Sequence, residues 1–450
     1  MLINPEGMFD WRGVSANVMF YKGLLDRLGV EVEVFRHGTF KSAVEPYIME
    51  GMSPSNRIQM ETIVNSMWDV MVGDVAASRG ISADKLKAYA DNLVIGNPED
   101  ALECGLVDGV VYEDQAMGMI EALCRGKEIK NSNVSGTGDV SMVSLGDYAT
   151  AHALGIYNYK AKNKVAIIYA DGQIVDGESY NGAVGGATLA SQIAQARMDD
   201  SIKAVVLRVN SPGGSALASD VIWREMELCR EKKPVIVSMG GVAASGGYYI
   251  SSPADVILAD RTTQTGSIGV FGLLLNLEKT FEDKLGITFD VAKTGPVADM
   301  GNMTRTLTLK ERSFIQQNVE DTYSTFVEHV AAGRNMTFEE VDKIGQGLVW
   351  LGVEAEKNGL VDGFGGLADA VSLAVDRSGI ASDYGICEIL PQQNSFGELM
   401  SMLFANVSAA SDAGLKDELG DVFVHYSRLK NMIENNGGVM AMMPYTIEFR

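Results

Sequence analysis

The chain has 450 residues, 46% of them hydrophobic, a mean hydropathy of +0.05 and a net charge of -22. That length is enough for two or three domains with real cores, and the acidic balance argues against nucleic acid or an anionic membrane surface as the main partner. No run of about 18 apolar residues spans a bilayer, and the opening MLINPEGMFDW lacks the basic-then-apolar order of a signal peptide. Cys104, Cys124, Cys229 and Cys387 are widely spaced with no CxxC pair. They offer no recognisable zinc site or disulfide framework and read as buried small hydrophobes.

Ala16 to Leu28 has helical spacing and stops at Gly29, and Val30 to Phe35 alternates as a half-buried strand. A loop rich in turn residues follows. Ser55 to Ser78 reads as a long amphipathic helix, Ser82 to Tyr89 as a short one, and Lys127 to Ser144, rich in Gly, Ser and Asn, as a linker. Beyond it strands and helices alternate: strand 164–169, helix 188–197, strand 204–209, a turn at 210–215, helix 218–230, strand 235–237. Such alternation with short glycine turns predicts a mostly parallel sheet with crossover helices. Both glycine turns, at 210–215 and 240–247, then fall at the carboxyl ends of strands, where open α/β sheets bind ligands.

The second turn carries the sharpest signal. Val235-Ile236-Val237 is a buried strand, and Ser245 sits among small residues just before Gly246-Gly247. A serine on a tight strand-to-helix turn meets a reactant, and the first N–H groups of a helix are free to bind an oxyanion. A glycine turn that merely lets a helix pack close to the sheet would look the same.

An internal repeat is also present. VAASRGIS (75–82) matches VAAGRNMT (330–337), GLVDG recurs at 105–109 and 359–363, and LLDRLGVEVEVF (24–35) matches EDKLGITFDV (282–291) in pattern. The common offset is about 255 residues, so two units of one fold sit in tandem. The second unit begins near Lys164, so residues 1–125 correspond only to its later half. The expected organisation is an N-terminally truncated first unit at 1–125, a linker at 126–163, a second unit at 164–375 and an extension at 376–450 without usable motifs.

Four motifs in order, GTFKSAVEPY (38–47), RVNSPGGS (208–215), MGGVAASGGYYIS (239–251) and TGSIGVFG (265–272), resemble the signal peptide peptidase A (protease IV) family in its long, tandem-domain bacterial form. The likeness runs from near Met1 to about residue 375. It implies an α/β chain of the Clp-protease/crotonase-like fold and a serine endopeptidase with a Ser/Lys dyad. The family's nucleophile falls on Ser245, its general base on Lys41 in the N-terminal unit, and a serine that orients the lysine on Ser267. The second repeat carries Val297 or Ala298 where the first has Lys41. The resemblance also implies released signal peptides and other hydrophobic peptides as substrates, a homotetramer, and a place on the periplasmic side of the inner membrane, held by an N-terminal anchor absent from this chain. It implies no cofactor and no metal.

The chemistry holds on its own terms. A serine hydroxyl needs a base to take its proton, and a lysine with an ordinary pKa of about 10.4 is almost wholly protonated at neutral pH. Burial among Phe40, Val44 and Tyr47 would disfavour the ammonium. Backbone N–H groups of Gly213 or Gly214 and of Gly246 are the natural oxyanion donors. His37 lies on a polar loop with no acidic orienter in the sequence, and His152, His329 and His425 read as surface or satisfied-core residues. Asp220, Asp255 and Asp260 read as caps and surface charges, and GLVDG as the end of a helix and the start of a strand. Two other readings stand beside the peptidase: a crotonase-like acyl-CoA enzyme, using similar glycine N–H pairs, and a non-catalytic assembly subunit.

Overall fold

The computed structural model describes residues 1–126, 143–144, 146–148, 161–180, 182–380, 384–390 and 439–443. The chain divides by contact into two compact units, one of Met1–Asn17, Glu61–Tyr157 and Ile447–Arg450, the other of Val18–Met60 and Asn158–Thr446. Among the described residues the strands begin with β1 (Leu2–Ile3), β2 (Glu31–His37), β3 (Gly109–Val110), β4 (Lys164–Asp171), β5 (Ile174–Val175), β6 (Val184–Gly185), β7 (Ile202–Ser211) and β8 (Gly213–Ser215). They continue with β9 (Val235–Ala244), β10 (Val256–Ala259), β11 (Gln264–Gly266), β12 (Val270–Asn276), β13 (Val349–Leu351), β14 (Gly363–Phe364), β15 (Gly385–Glu388) and β16 (Val439–Met442).

The larger unit is built on a sheet in the order β13-β11-β9-β7-β4-β15, with β10 on β9 and β14 on β10. All of its pairings are parallel except β13 with β11. The central strands AVVLRV and VIVSMG are apolar runs because helices cover both faces, so neither face alternates with water. Helices Gly186–Met198 and Ala216–Arg230 pack together, and Leu367–Ser378 packs across β7 and β9. The core joins Ile168, Leu207, Val237 and Ile257 of the sheet to Phe326 and Val330 of helix Leu309–Arg334.

A second sheet runs β2-β12-β16-β8-β5-β6. β2 pairs antiparallel with β12 along its whole length, from His37 opposite Val270 to Glu31 opposite Asn276. This ladder is why residues 18–60 belong to the larger unit and not, as expected from their repeat, with the rest of 1–125. Val32 and Val34 face the same cluster as Leu273 and Leu275, so the alternating pattern that marked the strand also sets its register.

In the smaller unit Val72, Leu86 and Leu106 form a core with Phe9, Trp11 and Trp68 packed against it. The Trp11 and Trp68 rings lie 4.8 Å apart, and Trp11 Nε1 donates to the Leu86 carbonyl at 2.9 Å. Helix Ala83–Asp91 is capped by Ser82, and Pro98–Glu103 by an Asn97–Asp100 capping box.

The repeat is structural. Pro54–Arg79 and Leu309–Arg334 are both 26-residue helices, each followed by a short capped helix. Each GLVDG ends a short helix and enters a short parallel strand: Leu2–Ile3 pairs with Gly109–Val110 as Leu258–Ala259 pairs with Gly363–Phe364. The aspartate of each binds the arginine closing the long helix, Arg79 to Asp108 at 2.7 Å and Arg334 to Asp362 at 2.6 Å.

Some expectations change. The helix expected from Ala16 begins only at Lys22. Residues 287–293, the counterpart of β2, form no strand, although the stretch before each ends in a left-handed glycine, Gly29 and Gly286. Cys229 and Cys387 are buried as expected, but Cys124 is exposed. The expected linker lies largely outside the described residues, as do His152 and His425. Of the expected extension, 376–380, 384–390 and 439–443 are described, and they include β15 and β16.

Candidate active site

β9 and β11 run parallel with Ala244 opposite Gly266, so the residues that follow them, Ser245 and Ser267, leave the sheet side by side. Ser245 donates its N–H to the Gly266 carbonyl at 2.8 Å, and Ser267 donates its own to the Leu348 carbonyl at 2.6 Å. Both are non-glycine residues held at positive φ, +55° and +50°. Such strain persists only where the surroundings over-determine it, and it concentrates at functional sites. Helix Gly246–Ser251 starts directly after Ser245. It is anchored by two buried tyrosines: Tyr248 Oη donates to the Leu360 carbonyl and Tyr249 Oη to Asp220, both at 2.8 Å.

Lys41 arrives from the end of β2. Gly38 turns the chain at φ +101°, where a Cβ would strike the Gln346 carbonyl carbon at 2.5 Å. Phe40 then donates its N–H to the Gln346 carbonyl at 2.9 Å. Gly347, at φ +81°, lies so close that a Cβ there would be 2.5 Å from the Lys41 nitrogen. Next to it, a Cβ on Gly269 would come 3.2 Å from the lysine stem. These glycines admit Lys41 to a place with no solvent exposure. Its Nζ lies 2.8 Å from Ser245 Oγ, 3.0 Å from Ser267 Oγ and 3.1 Å from the Ser267 carbonyl oxygen.

Desolvation holds the Lys41 pKa well below the usual lysine value. A neutral amine has two N–H donors and one lone pair. With the donors on the two Ser267 oxygens, the lone pair is left for the Ser245 hydroxyl proton.

Glu45, which the sequence reading did not single out, holds the lysine loop in place. Fully buried, it accepts from Ser53 N at 3.1 Å, Ser53 Oγ at 2.6 Å and Asn56 Nδ2 at 2.9 Å, with the Arg36 guanidinium 3.8 Å away. A glutamate four residues past the lysine in an apolar turn was the available signal.

Gly213 has φ +91°, and a Cβ on it would lie 2.5 Å from the Gly246 nitrogen, so these two backbones adjoin. Gly213 N–H donates to Ser211 Oγ at 3.2 Å. Gly214 instead lies against Ile174, with which it pairs, so the structure brings only Gly213 of the two beside Gly246. His37 ends β2 and is no loop residue: it stacks on Tyr323 at 3.8 Å and its Nδ1 meets Glu320, an acidic partner not visible in the sequence. His329 is satisfied by Asp220 at 3.2 Å and stacks on Trp223. Asp255 and Asp260 accept backbone N–H groups, as expected of caps. Among the described residues no cluster of ligands suits a metal, and no helix is long and apolar enough to cross a membrane.

The chain is similar in sequence to several known proteases. Protease 4 of Salmonella typhi is 40% identical over 388 residues, 83% of this chain and 60% of that protein. Protease 4 of Haemophilus influenzae is 39% identical over 380 residues, again 83% and 60%. A chloroplastic serine protease SPPA of Arabidopsis thaliana is 28% identical over 416 residues, 90% and 60%. The chain thus spans about 60% of the length of these relatives. A mutant ClpP1 of Listeria monocytogenes aligns over 46% of this chain and 94% of its own, at 14% identity and a TM-score of 0.31. The Clp protease family model matches residues 159–257, in keeping with the Clp-protease-like α/β fold of the larger unit. The model of peptidase family S49 matches residues 1–125 and 227–381, more than half of the sequence, and the chain belongs to that family.

Proposed function

We propose that this chain is a serine endopeptidase that cleaves extended hydrophobic peptides, with Ser245 as nucleophile and Lys41 as general base. The observation that carries the reading is a fully buried lysine amine 2.8 Å from the hydroxyl of a strained turn serine. Ser245 Oγ attacks the scissile carbonyl as Lys41 Nζ takes its proton, and the resulting ammonium then protonates the leaving amine. Ser267 positions the amine through its hydroxyl and carbonyl. The N–H of Gly246, at the start of a helix, and the N–H of Gly213 stabilise the oxyanion. A nearby anion would displace Gly213 N–H from Ser211 Oγ.

Peptide binds as an added strand in the second sheet. Signal peptides released from precursors suit it because they are apolar and extended. The resemblance to protease 4 further supports a homotetramer acting on the extracytoplasmic side of the inner membrane. Labelling with a fluorophosphonate tests the assignment. Wild type is expected to label at Ser245, Ser245→Ala not at all, and Lys41→Ala at least about 10³-fold more slowly. Labelling of Ser245 that ignores Lys41 would remove the lysine from the mechanism.

A further inference from the structure

A side-chain network stands behind the Ser245–Lys41 pair. Residues 345–348 form a turn between helix Phe338–Ile344 and β13, with Gln346 at φ +55° and Gly347 at φ +81°. The backbone of this turn is stitched to both sides of the lysine seat. The Gln346 carbonyl accepts the Phe40 N–H at 2.9 Å, one residue before Lys41, and Gly347 presses on the Lys41 backbone. The Leu348 carbonyl accepts the Ser267 N–H at 2.6 Å, and Gly347 donates its own N–H to the Ile268 carbonyl at 2.7 Å. One turn therefore holds the base and the serine that orients it.

Side chains anchor the turn from behind. Tyr323 Oη, on helix Leu309–Arg334, donates to Asp342 Oδ1 at 2.5 Å. Gln346 Nε2 donates to the same Oδ1 at 2.5 Å, and both Nε2 and the Gln346 backbone nitrogen donate to Tyr323 Oη at 3.3 Å. His37, stacked on the Tyr323 ring, ends the strand that leads to Lys41. The first repeat shows what such a turn does not need. Counting back from GLVDG, Leu93 stands where the second copy has Gly347, at φ +50° and 66% exposed. Counting from VAASRGIS, Trp68 and Lys87 stand in the places of Tyr323 and Asp342, and Lys87 reaches to Asp69 at 2.6 Å. An indole and an ammonium offer no oxygen acceptor, so they cannot build the same network. The left-handed turn forms without it. The network belongs to the copy whose turn packs on Lys41.

We propose that Gln346 is a positioning residue of the peptidase, which with Tyr323 and Asp342 clamps the turn against Lys41 and Ser267 and so keeps water from the lysine amine. The inference rests on the peptidase reading and deepens it. Gln346 acts through the turn and not on the reacting atoms. A side chain held at positive φ keeps that backbone only while its surroundings over-determine it. Loosening the turn withdraws Gly347 from Lys41 and admits water, and a hydrated amine keeps its proton to higher pH. The charged groups beside Lys41 are Arg36, whose guanidinium donates to the Lys41 carbonyl at 3.4 Å, and Glu45. Beside Tyr323 they are Asp342 and, through His37, Glu320. All of these stay in place in the variants below, so a moved midpoint reports on the hydration of Lys41.

The pH dependence of fluorophosphonate acylation at Ser245, measured on the full chain, tests this with Gln346→Met, which keeps the length of the side chain and removes its hydrogen bonds. The midpoint is expected to rise by about one pH unit or more. Acylation at pH 7 then slows at least about tenfold, while the rate at the high-pH plateau stays within about twofold of wild type. Tyr323→Phe, which takes one hydroxyl from the network, is expected to move the midpoint in the same direction by less, and it carries the test should Gln346→Met not fold. A merely structural role would lower the melting temperature and leave the midpoint in place. A wild-type midpoint in the folded variant overturns the clamp and leaves the peptidase reading standing. Equal slowing at every pH overturns it too, because the proton on Lys41 would not be what the turn controls. A wild type that does not label at Ser245 overturns the peptidase reading itself, and the proposal with it.

Discussion

Lys41 is the residue on which the account turns, and its energetics have a testable sign. A depressed lysine pKa means that the unfolded chain binds a proton the folded chain does not. Above the unfolded value of about 10.4 the amine is neutral in both states. As pH falls below that value the unfolded state gains the proton, and folding is opposed by about 1.4 kcal/mol per pH unit until the folded pKa is reached. Lys41→Met, which keeps the stem and removes the amine, is therefore expected to raise the melting temperature at pH 7. The gain should shrink as pH approaches 10.5, and differential scanning at several pH values checks it. An unchanged or lowered melting temperature at pH 7 would mean that the amine is not desolvated. Phe40, Val44 and Tyr47 beside Lys41 in the chain hinted at burial, but on its own a lysine in a turn-rich loop looks like a solvated charge. What buries it, Gly269 and Gly347, lies more than two hundred residues away in sequence. Ser245 was legible because its environment is local: a buried strand before it and Gly246-Gly247 after it.

At the scale of elements, the repeated GLVDG offers an internal control. Both aspartates hold the arginine that closes a 26-residue helix, but the surroundings differ. The Arg334 side chain is 7% exposed, and Asp362 also accepts the Ile257 N–H at 2.7 Å. Asp108 is mostly open to water. Removing Asp362 takes a charged partner from the nearly buried Arg334 guanidinium and an acceptor from the Ile257 N–H, which costs about 1.5–3 kcal/mol, whereas pairs exposed on both sides contribute little. Asp362→Ala should lower the urea midpoint clearly and Asp108→Ala hardly at all; equal effects would contradict the burial difference. The parallel sheet, the crossover helices and the tandem repeat were all readable from apolar runs and glycine turns. The second sheet was not. It is assembled from six strands, β2, β5, β6, β8, β12 and β16, drawn from distant parts of the chain, and short strands such as Gly213–Ser215 and Val439–Met442 carry no periodicity of their own. For the same reason residues 18–60 were expected with their repeat, although hydrogen bonding ties them to β12.

For the whole molecule, the missing counterpart of β2 is informative. Residues 287–293 repeat its alternation, yet Ile287, Phe289 and Val291 each stand more than 40% exposed. Such an exposed apolar stretch is a place for another chain to dock, and the proposed homo-oligomer supplies one in a second copy. Light scattering is expected to show a species well above the 48.4 kDa of one chain, and Phe289→Asp to shift it towards that value. A monomeric wild type would contradict the assembly.

The central claim is narrower than the assembly: a neutral, buried Lys41 activates Ser245. It is tested most directly by the pH dependence of the rate at which a fluorophosphonate acylates Ser245. Proton removal from Lys41 must precede attack, so the account predicts a rate that rises with pH and levels off at a midpoint well below 10.5, the rise being lost in Lys41→Met. A midpoint at the ordinary lysine value, or the same profile without the lysine, would contradict it.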